Sequence, residues 1–155
     1  MSYSYISRPK VTRDANTTPY TAGDVVGGVI NFKGIPENTD LLIANADLRI
    51  DIAAIPSGMT SWRLPLYKER PASAYADNAA WDLPDTDRDD YIGFVDIGVI
   101  ADLGSSLFVQ NDEVRKQIRT GSGLFGYLVT TGGFTPASNS EVYRPCIRCV
   151  NLSVR

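Results

Sequence analysis

The chain has 155 residues, 43% apolar and 21% charged, a composition suited to one globular domain with a real core and too short for two comfortable ones. Its 15 Lys and Arg against 18 Asp and Glu leave a formal charge of -3, so no basic block stands ready to neutralise phosphates, and no nucleic-acid partner is expected. Histidine is absent, which removes Ser-His-Asp and Cys-His nucleophilic sets together with the commonest transition-metal ligand.

Residues 1–12 carry Tyr3, Tyr5 and Ile6 with Arg8 and Lys10 and no acid. They hold no apolar stretch of signal-peptide type, and no run in the chain approaches the roughly 20 apolar residues that span a bilayer, so no membrane partner is expected. This segment reads as an N-terminal arm for docking on a neighbouring subunit, followed by a sandwich domain over residues 13–155. Residues 11–16 form a short strand or part of that arm, and residues 17–24 are turn-rich. Residues 25–32 read as a strand whose Gly27-Gly28 pair marks a bulge or a close backbone approach. After a turn over residues 34–40, Leu48, Ile50 and Ile52 alternate with Asp47, Arg49 and Asp51, the period-2 pattern of a half-buried strand. Trp62, Leu64 and Leu66 alternate again, and Pro65 between them predicts an edge strand or a bulge.

The alanines of residues 71–81 predict a short helix in a long connection. Residues 91–95 and 106–110 are strand-like, residues 113–120 fit strand or helix, and residues 124–131 form a strong aromatic and β-branched strand. A polar loop leads to a last strand over residues 142–154. The expected fold is therefore all-β: a single antiparallel β-sandwich or jelly-roll-like domain of about seven or eight strands.

Candidate chemistry is sparse. Asp85-x-Asp87-x-Asp89 supplies the first three ligand positions of a calcium loop, with Asp96 at the twelfth. Asp90 stands where the sharp turn wants glycine, and flanking helices are missing, so a solvated acidic loop is the expectation and no metal or other cofactor is assigned. Paired carboxylates for glycoside hydrolysis need burial and a cleft, which a polar loop of Asp77, Asp82, Asp85 and Asp87 lacks. Gly121, Gly123 and Gly126 precede no Lys-Ser/Thr pair and suit a hairpin turn. Cys146 and Cys149 are spaced like a redox motif but sit within a strand, where residues three apart point to opposite faces. They are expected to be small apolar, unpaired thiols, with an intermolecular disulfide in an assembly as the alternative. Trp81 and Phe134, both in loops, are expected to be partly exposed and are the partner-binding candidates beside Tyr3, Tyr5 and Arg8, with core or loop packing the favoured role for each aromatic.

Four segments carry a family resemblance: IAAIPSGMTSWRLPLY at residues 52–67, ADNAAWDLP at residues 76–84, Val109-Gln110, and LFGYLVTTGGFTP at residues 124–136. Together these resemble small phage and prophage virion structural proteins, β-sandwiches of the capsid-decoration kind, over roughly residues 20–152. The resemblance implies a non-enzymatic virion protein, made in the host cytoplasm. It would bind the major capsid protein or other virion proteins as a symmetric homo-oligomer, with a trimer favoured. The alternative is a collar or tail-fibre module that recognises a host glycan or surface receptor through Trp81 and the loop around Phe134.

Overall fold

A computed structural model describes residues 4–139 and 141–152. The strand segments in chain order are β1 (Ser4–Ser7), β2 (Val11–Thr12), β3 (Val25–Asn31), β4 (Asp40–Ile50), β5 (Ser61–Tyr67), β6 (Tyr91–Val99), β7 (Ala101–Asp102), β8 (Leu107–Asn111), β9 (Lys116–Arg119), β10 (Phe125–Thr130) and β11 (Val142–Asn151). They occupy eight strand positions. β1 and β2 run along β11 in one unbroken register, from Ser4 opposite Val150 to Thr12 opposite Val142, so they are one strand interrupted at residues 8–10. β8 and β9 likewise lie end to end along β4, separated by a kink in which Arg115 takes a left-handed φ of 45°. β7 is a two-residue hairpin stub on β8.

One sheet has the order β1/β2–β11–β4–β8/β9 and the other β3–β10–β5–β6. The chain crosses between them after β2, β3, β4, β6, β9 and β10, the crossings after β2, β4, β6 and β10 lying at one end, and every pairing is antiparallel, which is the jelly-roll arrangement. Four loops therefore gather at one end of the sandwich: residues 13–24, 51–60, 100–106 and 131–141. Ile100 N donates to Thr60 O at 3.0 Å and Asp51 N to Val142 O at 3.0 Å across that end. The opposite end is tied by Phe32 N to Leu124 O and Asn38 N to Gly121 O, both at 2.9 Å.

The alternation read in β4 holds. Leu41, Ile43, Leu48 and Ile50 are fully buried between the sheets with Trp62, Leu64, Leu66, Leu128, Tyr143 and Ile147, while Arg49 faces out. The glycine pair in β3 is the bulge it promised. Gly27 and Gly28 have φ of 87° and 94°, the β3–β10 register slips there, and the Val11 side chain fills the space a Gly27 Cβ would need.

One expectation fails and one holds by half: the edge placement of Pro65 is wrong, but the β5–β6 register does shift on both sides of it, between Trp62 and Arg63 and between Leu66 and Tyr67. β5 lies between β10 and β6, so Pro65 sits in a central strand. The β10–β5 ladder is interrupted between the Gly126–Leu66 and Val129–Arg63 pairs, the stretch where Pro65 has no N–H to give. Residues 71–81 form turns and a bridge, with no helix. Their backbone groups are taken by partners elsewhere: Asn78 N donates to Val25 O and Val25 N to Ala79 O, both at 2.8 Å, while Ala74 and Asn78 adopt positive φ. Alanine's helix propensity, a few tenths of a kcal/mol per residue, loses to these tertiary bonds.

The 68–90 connection crosses the outer face of the β3–β10–β5–β6 sheet. Tyr75, Trp81 and Leu83 cover a second apolar cluster of Val25, Tyr67, Phe125, Tyr127 and Val129. That cover explains why every residue of β10 is buried: Phe125, Tyr127 and Val129 are under the connection, and Leu128 is in the main core.

Candidate interaction surface

The aromatic candidates divide by what the loops do with them. Phe134 is 3% exposed, so its expected exposure is wrong. Its backbone bridges to Tyr20, with Tyr20 N donating to Phe134 O at 2.9 Å, and its ring centroid lies 5.0 Å from Tyr20 and 5.8 Å from Trp62. The Gly132-Gly133 turn folds the loop back so that Phe134 caps the core from the loop end. Trp81 is partly buried over Tyr91, and its indole N–H donates to Tyr67 Oη at 2.9 Å, fastening the connection to the sheet. Tyr5 is half-buried on β1 opposite Cys149 and packs against the main core. Arg8 is exposed, and Tyr3 lies outside the described residues. Among the described residues, the structure thus does not assemble Tyr5, Arg8, Trp81 and Phe134 into one site.

The four calcium candidates also separate. Asp85 is exposed and pairs with Arg88, Asp89 is exposed, and Asp96 sits on β6 with its Oδ1 2.8 Å from Arg63 Nε. Asp87 is fully buried, and its Oδ1 accepts from Ala72 N at 2.9 Å and Ser73 N at 3.3 Å, which organises the connection. Among the described residues, no group of three or more Cys, Asp and Glu side chains is placed to hold a metal ion.

Sequence reasoning missed two polar assemblies. The first lies under the loop end. Arg13 and Glu141 form a buried ion pair, Nε to Oε2 at 3.5 Å, with side chains 0% and 1% exposed. Arg13 also donates to Asn16 O at 2.6 Å and to Ser138 O, and Glu141 accepts from Ala137 N at 2.8 Å and Tyr143 Oη at 3.0 Å. Beside it, Asp77 Oδ1 accepts from Tyr20 Oη at 2.7 Å and Gly27 N at 2.8 Å. Burial and the neighbouring carboxylates push the Tyr20 and Tyr143 phenols well above their ordinary range. These groups hold three loops together.

The second assembly covers the outer face of the β1/β2–β11–β4–β8 sheet. Arg8, Arg49, Arg144 and Arg148 surround a shallow depression of about 210 Å³ with Asp47, Phe108 and Gln110. One carboxylate, Asp51, serves two guanidiniums, at 2.9 Å from Arg49 Nε and 3.2 Å from Arg144 Nε. Burial raises the Asp47 carboxyl, opposed by Arg8 and Arg148. The signal was present as period-2 spacing: Asp47 and Arg49 on β4, with Asp51 just past its end, and Arg144, Cys146 and Arg148 on β11 share the face opposite the apolar residues.

The two cysteines are free and buried on opposite faces of β11, as the strand reading required. Burial pushes the Cys149 thiol up to about 12 and also raises Cys146, so neither offers an activated thiolate.

No family model matches the chain, and neither does any curated protein. Solved structures to which it is similar include a chain of the cyanophage Pam1 capsid, 10% identical with a TM-score of 0.40, covering 96% of this chain and 85% of that one. A decameric BFDV capsid protein is 8% identical, TM-score 0.35, with 97% of each chain covered. A chain of the Israeli acute paralysis virus particle is 13% identical, TM-score 0.32, covering 98% of this chain and 72% of that one. All three likenesses are faint, and the jelly-roll description stands on the strand pairing alone.

Proposed function

We propose that the chain is a structural component of a bacteriophage particle, a capsid decoration protein that binds the major capsid protein as a symmetric oligomer. The observation that carries this reading is the jelly roll itself: two antiparallel sheets wrapped around one apolar core, a fold used in capsid and lectin domains. The resemblance of residues 52–67, 76–84 and 124–136 to small phage virion proteins points the same way. The polar groups support it as well. The buried ion pair and the phenols beside it stiffen loops, the two thiols are buried within β11, and none of these groups is placed as an exposed acid, base or nucleophile.

The fibre-module alternative is weakened at its own residues. Trp81 spends its indole N–H on Tyr67, and Phe134 is buried in the core, so neither presents an open stacking platform for a sugar.

The test is co-sedimentation of purified full-length protein with phage particles that lack it. Saturable binding at an integral number of copies per symmetric capsid site is expected. Binding to a glycan array with no binding to capsids would instead select the fibre module.

A further inference from the structure

We infer that the arginine-rich outer face of the β1/β2–β11–β4–β8 sheet receives the acidic loop at residues 82–90 of a second copy of this chain. The inference deepens the particle reading and rests on it. Charge is segregated across the sandwich. Arg8, Arg49, Arg144 and Arg148 lie on the outer face of one sheet. Asp82, Asp85 and Asp89 are exposed, and Asp90 partly so, on the connection that covers the outer face of the other sheet. A molecule with opposite charges on opposite faces binds its own kind front to back, and each such contact leaves one complementary face free on either end.

The pattern within each patch favours a protein partner over a polyanion. Asp47 and Asp51 are interleaved with the four arginines, and Asp112 lies close enough to raise Asp47 further. A phosphate backbone would meet these carboxylates head on. The acidic loop is the matching inverse, mostly carboxylates with one cation, Arg88, among them. Several guanidiniums also have capacity to spare. Arg49 and Arg144 share a single carboxylate, and Arg49 keeps 49% and Arg144 30% of its side chain exposed. Phe108, partly exposed in the same depression, gives the contact an apolar centre.

Sedimentation velocity of the full chain tests this with two double variants, Arg144→Glu with Arg148→Glu and Asp85→Arg with Asp89→Arg. All four positions are on the surface, and circular dichroism checks that both variants fold. Wild type should self-associate at ~0.1 M salt and dissociate toward monomer at ~1 M, where the screening length falls from about 10 Å to about 3 Å. Each variant alone should lose at least about tenfold in association. An equimolar mixture should recover it, because each reversed patch then meets a reversed partner. Wild type that is monomeric at low salt, variants that associate like wild type, or a mixture that fails to recover would each overturn the contact. So would oligonucleotide binding lost in the arginine variant while self-association stays intact. Capsid co-sedimentation runs in parallel: a chain that joins particles without self-associating removes only this contact, whereas one absent from particles removes the particle reading itself.

Discussion

Replacing Phe134 by alanine separates the structure from a plain reading of the sequence. A loop aromatic poised for a partner would be replaced at little cost to stability, within about 0.5 kcal/mol for an exposed site. Phe134 is instead 3% exposed, with its ring against Tyr20 and Trp62. Truncating a buried phenylalanine costs about 3–5 kcal/mol from lost transfer energy and the cavity left behind. Cavity relaxation should be limited, since the Tyr20–Phe134 backbone bridge holds the loop in place at 2.9 Å. For a domain of this size 1 kcal/mol moves Tm by roughly 2–4 °C, so the expected fall is about 10 °C. Urea titration followed by tryptophan fluorescence should give the same loss through a lower midpoint at unchanged slope. Trp62 beside the lost ring makes the probe local as well as global. A loss under about 1 kcal/mol would refute the placement of Phe134 as a core cap.

The Arg13–Glu141 pair gives a second test. Arg13→Met alone should cost about 3–5 kcal/mol by stranding a buried carboxylate, and adding Glu141→Gln should recover part of that, as a urea double-mutant cycle will show. Gly27→Ala should destabilise by more than ~1 kcal/mol, the opposite sign to an ordinary strand Gly→Ala change, because φ is 87° and Val11 fills the space. Pairing it with Val11→Ala should return only the steric share. Cys149 binds its proton more tightly folded than unfolded, so its contribution to stability is whole below its ordinary pKa of 9.0 and is lost as pH rises toward about 12. Thiol titration at pH 8 should accordingly find Cys149 unreactive until denaturant is added, and a folded protein that labels there at once would contradict the burial.

How much was legible in the sequence depended on whether the signal was local. Alternation in residues 47–52 and 62–66 and the glycine pair at 27–28 are local, and they marked β4, β5 and the β3 bulge correctly. Pro65 left edge strand and bulge open because the two look alike in one dimension; only the neighbours β10 and β6 exclude the edge. The alanine-rich 71–81 segment misled because its backbone partners, Val25 and Tyr127, lie 52 or more residues away in the sequence. Phe134 was missed for the same reason, since Tyr20 reaches it from a separate loop. Arg13 and Glu141 left no local mark at all. The basic face was half visible, as out-facing arginines on two strands whose adjacency only the β11–β4 register reveals.

The central claim is that this jelly roll is part of a phage particle. A cryo-EM reconstruction of the phage tests it most directly. The account predicts density on the capsid shell into which the two four-stranded sheets fit, repeated by the particle's symmetry and missing from particles made without the gene. A shell with no such density, identical in both preparations, would contradict it.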